Sequence, residues 1–384
     1  MKRVGVIGGG QLAWMMGDAA QRLGVELVVQ TPHSSDPAVS ISADNIFAPV
    51  NDANATAELA KKSDVITFEN EFVDIQALSN LAQQGVCFRP KLEALAPLLD
   101  KYHQRCYLRD LGLPVPRFVA LDLLAEDDTT LSQLGFPVVL KTRRHGYDGQ
   151  GTFIIKDKET LKQKLESDIT KIVESQVSFL LEEFIPFERE LAVIAVRSVD
   201  GKVVTYPVVE TQQEEQVCRR VLASADISLE VALEIENIAR TLLNSLEAVG
   251  VFGIELFLNS DGKVLINEVA PRTHNSGHFS IDACETSQFE QHLRAVCGMQ
   301  LGNTAMICPG AVMVNLLGYE ISSSDYMTKR QQIEQIPQAR VHWYGKTESR
   351  PGRKLGHVTV LLDTHNRDQA MAIARNIESI WYPN

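Results

Sequence analysis

The first 90 residues alternate short apolar runs with longer amphipathic stretches, and this alternation constrains the fold more than any other feature. The runs VGVIG, VELVVQ and DVITFE have the length of strands, while QLAWMMGDAAQRLG, NATAELAKKS and VDIQALSNLAQQG have helical spacing. Strands that are apolar throughout are buried on both faces, which is typical of parallel sheets covered by helices. The sequence therefore predicts an α/β domain with a parallel sheet at the N-terminus.

The first of these strands ends in a glycine turn. Gly8, Gly10 and Ala13 fit the pattern G-x-G-x-x-A of dinucleotide-binding domains. Such domains also place an acidic residue near the end of the second strand, where it holds the ribose hydroxyls. Here the second strand ends in Gln30, so the acid is absent. From these residues alone, a structural turn, a cofactor site and a helix N-terminus that holds another ligand all stay open.

Length, charge and cysteine content exclude several classes of protein. A chain of 384 residues exceeds one ordinary core, so two or three domains are expected. The net charge of −12 argues against general binding to nucleic acid or to acidic membranes. No apolar run reaches the roughly 20 residues of a membrane helix. The six cysteines are scattered without a C-x-x-C pair. These features predict a cytoplasmic protein with reduced thiols.

Two acidic residues are expected to face each other across one hairpin. In FGIELFLNSDGKVLINEVAPR, the pair Asp261-Gly262 is a strong signal for a two-residue turn. If those two residues form the loop, Glu255 lies directly opposite Glu268, and a four-residue loop would make the acids diagonal neighbours on the same face. Directly opposed Cβ atoms are about 4.5–5.5 Å apart, and like charges at that distance repel. The pair therefore needs a cation or a shared proton.

The neighbouring residue types favour Mg²⁺ as that cation. Asn267 and Asn275 add oxygen donors, and hard oxygen ligands suit Mg²⁺, with nucleotide phosphates completing its coordination. Two solvated acids on an edge hairpin are the alternative. His274 and His278 are four residues apart, but the Asn-Ser-Gly between them predicts a loop, so a helical zinc site is rejected.

A second glycine-rich segment joins two predicted strands. KTRRHGYDGQGTFII places Lys141 at a strand end and Gly146, Gly149 and Gly151 in the loop. The segment lacks the G-x-x-x-x-G-K-[ST] pattern and the helix of a P-loop. Its backbone N–H groups could still close over phosphates, with Lys141 as a point charge. A plain hairpin loop is the alternative.

The order of these features resembles the ATP-grasp family over about residues 91–295: a basic strand end, a glycine flap, the stretch SFLLEEFIPFEREL and the paired acids. Such enzymes hold ATP between two α+β lobes and join a carboxylate to a nucleophile through an acyl phosphate. The motifs GGGQLAWM, GYDGQG, NEVAPRTHNSGH and WYGKTESRPGRKLGH are similar to those of the N5-carboxyaminoimidazole ribonucleotide synthetases, over nearly the whole chain.

The resemblance implies a fold of the α/β and α+β classes with three parts. These are an N-terminal Rossmann-like preATP-grasp domain (residues 1–100), a two-lobed ATP-grasp domain (101–297) and a small C-terminal domain (298–384). In this arrangement the first domain is not a cofactor domain, and its glycine turn faces the ribonucleotide.

The resemblance also implies an activity, the ATP-dependent carboxylation of 5-aminoimidazole ribonucleotide with bicarbonate, through carboxyphosphate, in purine biosynthesis. It implies ATP, Mg²⁺ with Mn²⁺ as an alternative, a homodimer, and functional coupling to the mutase that uses the product. Three alternatives are kept. They are another ATP-grasp ligase such as formate-dependent glycinamide ribonucleotide transformylase or a biotin carboxylase, a nicotinamide-dependent oxidoreductase, and a non-catalytic nucleotide-binding regulator.

Roles for particular residues follow from the resemblance as expectations. Contacts with ATP are implied for Lys101, Lys141, the flap residues Gly146, Tyr147, Asp148, Gly149, Gln150, Gly151 and Thr152, the hinge residues Glu182, Glu183, Phe184 and Ile185, and Glu190, Gln213, Asn267 and Glu268. The metal ligands are Glu255 and Glu268. The ribonucleotide is expected at Gln11, Leu12, Glu69, Glu71, Tyr147, Arg272, Lys346 and Arg353. Catalytic roles are implied for Tyr147, Asp148, Arg272, His274, Asn275 and Lys346.

The sequence departs from the family pattern at two places. Ala13 and Trp14 stand where the family often has glycine and arginine, and Gln213 stands where it usually has histidine. The contacts made by that arginine and that histidine are therefore in doubt. Neither departure touches the acidic pair or the basic motif near the C-terminus.

Overall fold

The computed structural model describes residues 1–121, 134–144, 151–175 and 178–383, without the side chains of residues 167–175. The flap residues Gly146, Tyr147, Asp148, Gly149 and Gln150 therefore lie outside the described residues. Within these ranges, no helix is long and apolar enough to cross a membrane.

The strands, in chain order, are β1 (Lys2–Ile7), β2 (Val25–Thr31), β3 (Asp44–Phe47), β4 (Val65–Phe68), β5 (Phe118–Leu121), β6 (Val138–Thr142), β7 (Thr152–Ile155), β8 (Phe179–Glu183), β9 (Phe187–Arg197), β10 (Val203–Thr205), β11 (Val209–Glu214), β12 (Val217–Ala223), β13 (Gly250–Asn259), β14 (Val264–Ala270), β15 (Gly310–Leu317), β16 (Ala339–Trp343) and β17 (Lys354–Leu362). The α-helices are α1 (Gln11–Trp14), α2 (Gly17–Leu23), α3 (Ala53–Lys61), α4 (Ile75–Gln83), α5 (Leu92–Leu95), α6 (Lys101–Asp110), α7 (Lys158–Ser175), α8 (Leu229–Leu246), α9 (Ser280–Ala283), α10 (Gln288–Val296), α11 (Met327–Glu334) and α12 (Arg367–Trp381). Short 3-10 helices span Pro37–Ser40, Ala96–Leu98 and Asn275–Gly277.

The N-terminal sheet is parallel, as the apolar runs predict. Its strand order is β3-β2-β1-β4, and each neighbouring pair runs in the same direction. Alternate residues of the central strands enter two different cores: Val6 and Val29 pack with α2, whereas Ile7 and Val28 pack with α3 and α4. Burial on both faces explains why these strands are apolar throughout.

Two antiparallel sheets follow and form the walls of a cleft. The smaller has the order β5-β8-β6-β7, and its core includes Val138, Leu140 and Leu181. The larger has the order β14-β13-β9-β11-β12-β15-β17-β16, with β10 paired to β9. The C-terminal strands thus extend the larger sheet through the pairing of β12 with β15. The domain limits given above remain predictions.

A buried histidine joins the N-terminal domain to the larger sheet. The Val251 N–H donates to Nδ1 of His292 at 3.2 Å, so Nε2 carries the hydrogen and bonds to the Thr67 hydroxyl at 2.8 Å. His292 is fully buried, and burial lowers its pKa to about 4. The ring is therefore neutral in the folded protein at pH 7.

We expect this histidine to make the protein less stable as the pH falls. An unfolded histidine takes up a proton below about pH 6.5, whereas folded His292 stays neutral until about pH 4. Its contribution to the free energy of unfolding is therefore present above pH 6.5 and is lost between pH 6.5 and 4, by about 1.4 kcal/mol per pH unit. When urea unfolding is measured at pH 7, 6 and 5, the free energy of unfolding should depend less on pH for His292→Gln than for the wild type. The exposed His365→Gln is the control, and equal slopes for His292→Gln and wild type would contradict the prediction.

Candidate active site

The hairpin of β13 and β14 brings the two predicted acids together. Glu255 pairs with Glu268 in the antiparallel register, which confirms the prediction. The predicted two-residue turn is wrong, because the Asn259 N–H donates to Lys263 O at 3.1 Å and leaves a three-residue loop. That loop alone would place Glu255 opposite Asn267. A bulge next to Glu255 inserts Asn267 and restores the facing acids.

The two carboxylates have opposite electrostatic surroundings. Burial, together with the charge of Glu268, raises the pKa of Glu255 to about 7. Burial also acts to raise the pKa of Glu268, but the Lys101 ammonium, 2.6 Å from its carboxylate, outweighs burial and lowers that pKa. Nε2 of His274 lies 3.4 Å from Glu255. The surroundings of Glu255 thus leave its negative charge only partly compensated, so that a proton or a cation is needed to neutralise it.

The other donors near this pair fit a divalent cation held jointly by protein and phosphate oxygens. Among the described residues, no group of three or more His, Cys, Asp or Glu side chains could hold a metal ion. Two carboxylates and the amide oxygen of Asn267 are hard donors of the kind that Mg²⁺ prefers, and the ion commonly takes its remaining ligands from nucleotide phosphates and water. The residues present therefore fit Mg²⁺ only together with a nucleotide.

A buried lysine lies beside the acidic pair, within a network that the sequence did not predict. Lys141 Nζ is 2.7 Å from Glu182 and donates to Asn267 Oδ1 at 3.0 Å. Arg105 donates to Glu182 at 2.5 Å and to the Asn267 carbonyl at 2.6 Å. Arg105 follows Lys101 by one helical turn on α6, and this spacing was the only signal for it in the sequence.

Burial and pairing shift the pKa values within this network. Burial lowers the pKa of Lys141. Burial acts to raise the pKa of Glu182, but Arg105 and Lys141 outweigh it and bring the value to about 2. The carboxylate of Glu182 therefore anchors the lysine, and the place of Glu182 in the adenine hinge stays a prediction.

The other described residues predicted to contact ATP, apart from Gly151, line the same cleft. Glu183 accepts from the backbone N–H of Arg117 at 2.8 Å, which fixes the segment that leads to Phe184 and Ile185. Burial, together with the charge of Glu255, raises the pKa of Glu190 to about 7. The exposed Gln213 also lines the cleft, at an irregularity of β11, and Thr152 begins β7.

The glycine turn at the start of the chain makes room for a carboxylate. A Cβ atom at Gly8 or Gly10 would lie 2.6 or 2.5 Å from the oxygens of Glu69. Glu69 is buried, which raises its pKa, and the Leu12 N–H at the start of α1 bonds to its carboxylate. Gln30 is buried and bonds to the Pro49 carbonyl at 2.8 Å. Gln30, which stands where a dinucleotide-binding domain has its ribose-binding acid, is thus part of the core. This argues against a dinucleotide site.

Basic residues lie in the same part of the cleft as the glycine turn. Arg272 Nε lies 2.9 Å from Glu71, two residues beyond Glu69. Lys346 donates to the Lys354 carbonyl at 2.8 Å, and Arg353 donates to the Glu348 carbonyl at 2.8 Å. These contacts give the loop between β16 and β17 a fixed shape.

One cavity of about 2210 Å³ connects these groups. Its lining includes every predicted site residue in the described ranges except Gly151: Gln11, Leu12, Glu69, Glu71, Lys101, Lys141, Thr152, Glu182, Glu183, Phe184, Ile185, Glu190, Gln213, Glu255, Asn267, Glu268, Arg272, His274, Asn275, Lys346 and Arg353. Gly151 has a φ of +80° and packs against Thr142 where a side chain would not fit.

A cleft between two antiparallel sheets, with a buried lysine on one side and facing acids on the other, defines an ATP-grasp enzyme. Family models agree along the chain: an ATP-grasp domain matches residues 106–289, a ribonucleotide synthetase preATP-grasp domain matches 1–97, and a phosphoribosylaminoimidazole carboxylase C-terminal domain matches 311–370. The chain belongs to the N5-carboxyaminoimidazole ribonucleotide synthase family.

Individual relatives support this membership over the full length. The N5-carboxyaminoimidazole ribonucleotide synthase of Synechococcus elongatus is 53% identical over 388 residues, which cover 100% of this chain and 96% of the relative. A crystal structure of the synthase from Aspergillus clavatus with ADP and 5-aminoimidazole ribonucleotide has a TM-score of 0.88, 31% identity and coverage of 99% and 98% of the two chains. The Thermotoga maritima synthetase has a TM-score of 0.86, 36% identity and coverage of 99% and 98%. The protein is thus a ligase that carboxylates 5-aminoimidazole ribonucleotide with ATP in purine biosynthesis.

Proposed function

We propose that the cleft divides into a nucleotide half and a ribonucleotide half, joined at the acidic hairpin. The facing of Glu255 and Glu268 beside two lysines is the observation that carries this proposal. In the nucleotide half, Lys101 and Lys141 contact the phosphates, the hinge from Glu182 to Ile185 holds the adenine, and Glu190 holds the ribose. Mg²⁺ held by Glu255 and Glu268 would offset charge on the β- and γ-phosphates.

Bicarbonate is the proposed co-substrate, and Arg272, His274 and Asn275 are its proposed contacts. Bicarbonate attacks the γ-phosphorus of ATP, which gives carboxyphosphate and ADP. His274 is held over β13 because Gly253 beneath it has no side chain to collide with the ring. A cation and polar donors at this point stabilise the anion that forms. Tyr147 and Asp148 of the flap remain predicted to orient the amine.

The ribonucleotide half is proposed to comprise Gln11, Leu12, Glu69, Glu71, Arg272, Lys346 and Arg353. Its acids could accept hydrogen bonds from the ribose and the exocyclic amine, while the basic loop suits a ribose phosphate. The aminoimidazole nitrogen then takes up the carboxyl group, and phosphate leaves. The Aspergillus complex with ADP and 5-aminoimidazole ribonucleotide supports a cleft that holds both molecules together.

Replacing Arg353 by alanine should weaken ribonucleotide binding without affecting ATP. Loss of a charged phosphate contact should raise the KM for 5-aminoimidazole ribonucleotide about tenfold, equivalent to about 1.4 kcal/mol, with the KM for ATP within about twofold of wild type. Steady-state kinetics with each substrate varied in turn measures both constants. Arg340→Ala, an exposed arginine on β16, is the matched control. Equal increases in both constants would refute the phosphate role.

An ADP-release assay tests the proposal as a whole. Release should require Mg²⁺ or Mn²⁺ and should depend on bicarbonate and 5-aminoimidazole ribonucleotide. Formate with glycinamide ribonucleotide should not replace them, and a fluorescence titration with NADH should show no binding. ADP release that is independent of bicarbonate would contradict the proposed chemistry.

The assembly and cellular context are proposed in part from the family. We expect the protein to form a homodimer and to be functionally coupled to the mutase that uses its product. A cytoplasmic location remains the prediction made from the scattered cysteines.

A further inference from the structure

A row of polar side chains crosses three neighbouring strands in the C-terminal part of the larger sheet. Asn315 on β15 lies opposite His357 on β17, and His357 lies opposite His342 on β16. The two imidazole rings are stacked, with centroids 4.6 Å apart and an interplanar angle of 15°. Asn315 and His357 are fully buried. This row is therefore a stripe of polar side chains that runs from the buried interior of the sheet to its half-buried end at His342.

Each residue of the row contacts one residue of the segment that follows the acidic hairpin. The contacted positions are three and four residues apart, which suits one face of a helical segment. Together the two sets form what we call the polar seam. Its contacts are two amide hydrogen bonds of 2.8 and 2.9 Å between Asn315 and Asn275, ring packing at 5.1 Å between His357 and His278, and a 2.8 Å bond between His342 and Asp282.

The seam lies between the loop that carries Arg272 and His274, which is proposed to bind bicarbonate, and the basic loop that carries Lys346, which is proposed to bind the ribonucleotide. On one side, Asn275 belongs to the loop that carries Arg272 and His274. On the other side, His357 follows Lys354 by three residues. Nδ1 of His357 is also 2.7 Å from the hydroxyl of Tyr344, two residues before Lys346. The lining of the cavity includes Asn275, Lys346 and Lys354 but not His357. His357 can therefore act on the reaction only through its neighbours.

Directional contacts distinguish this seam from an apolar interface. Apolar surfaces can repack in several registers, whereas buried hydrogen bonds are satisfied in one register only. Gln288 adds to this constraint, because its amide bonds to the His274 backbone at 2.7 and 2.9 Å and lies 3.1 Å from Nδ1 of His278. Burial lowers the pKa of both His278 and His357 well below the usual value, so both rings are neutral. The buried part of the seam is thus held by hydrogen bonds and ring packing, and its half-buried end by the contact of His342 with the Asp282 carboxylate.

We propose that the polar seam is a positioning device for the carboxylation step. It holds Lys346 and Lys354 at a fixed distance from the loop of Arg272 and His274, so that the activated bicarbonate and the amine meet in the cleft. The inference rests on the roles proposed above for Lys346, Arg272 and His274, and Lys354 lines the same cavity. Its seam histidines are positioning residues, and they act through the two loops.

Two variants of His357 test this inference. His357→Leu removes both the ring stacking and the bond to Tyr344, whereas His357→Asn retains a polar atom close to the position of Nδ1. Because small displacements of reacting groups have large kinetic effects, His357→Leu should raise the KM for the ribonucleotide about tenfold and the ADP released per carboxylated product from one to about five. The KM for ATP should stay within about twofold, and His357→Asn should recover most of the coupling.

Controls separate positioning from folding. His365→Leu replaces an exposed histidine of the same region and should keep one ADP per product. A folded His357→Leu protein with one ADP per product and an unchanged KM would overturn the inference. If His357→Leu does not fold, His342→Leu against His342→Gln carries the same test at the half-buried end of the seam.

Lys346→Ala distinguishes failure of the seam from failure of the proposed site. If Lys346→Ala leaves the KM for the ribonucleotide unchanged, the proposed role of Lys346 fails, and the inference fails with it. If Lys346→Ala raises that KM but the seam variants do not, only the inference about the seam is refuted.

Discussion

Replacing Glu268 by glutamine is expected to reduce kcat about a thousandfold, equivalent to about 4 kcal/mol of transition-state stabilisation. The substitution keeps the shape of the side chain but removes one of the two facing charges. It also removes the anionic partner of Lys101, which lies 2.6 Å away. Steady-state kinetics over a range of Mg²⁺ concentrations should show that the variant needs more Mg²⁺ for half-maximal activity.

The same hairpin offers a matched control for this substitution. Asp261→Asn removes an acidic charge from the exposed turn and should leave kcat and the Mg²⁺ requirement unchanged. Thermal unfolding of both variants checks that the hairpin is intact. Normal turnover by Glu268→Gln at low Mg²⁺ would remove the facing acids from the mechanism.

Replacing Lys141 by methionine should reduce both activity and stability, whereas Lys101→Met should reduce activity with much less loss of stability. Lys141 is buried within a network of Glu182, Arg105 and Asn267, while Lys101 is more exposed. Because Arg105 still neutralises Glu182 in the variant, we expect the free energy of unfolding to fall by about 2 kcal/mol for Lys141→Met, below the usual range for a broken buried pair. Loss of a phosphate contact should reduce kcat/KM for ATP about a hundredfold in each variant.

Urea unfolding and ATP kinetics on the two variants together test this assignment. Glu58→Gln, which removes a charge from an exposed ion pair, should change neither quantity. Equal stability of Lys141→Met and wild type would contradict the anchoring role of Glu182. Unchanged ATP kinetics in both variants would contradict the phosphate role of the lysines.

The acidic hairpin shows how much of a cross-strand pairing can be predicted by counting residues from a turn signal. The facing of Glu255 and Glu268 was predictable because side chains alternate along strands and because Asp261-Gly262 marks a turn. The three-residue loop and the bulge, which together produce this register, were not predictable. The side chain of Asn259 accepts N–H bonds from Asp261 and Lys263 and supports a longer loop. The bulge at Asn267 then shifts the register back by one residue.

The departures from the family pattern needed the structure for their interpretation. Trp14 packs edge-on against Tyr344, with ring centroids 6.2 Å apart, so it joins the N-terminal domain to the C-terminal basic loop. Gln213 is exposed at the irregular part of β11. The sequence could identify both positions as unusual, but it could not supply their partners.

The sequence by itself determined the parallel N-terminal sheet, the strand that carries each acid and the basic loop, because each depends on periodicity or turn chemistry within a few residues. Only the tertiary structure decided which polar groups become partners. Examples are Arg105 with Glu182, the position of Glu69 above the glycine turn, and the seam from Asn315 to His342. These partners are far apart in the chain, and a buried charge or amide is satisfied by whichever group the fold brings within hydrogen-bonding distance. Sequence patterns within a few residues therefore cannot predict these partners.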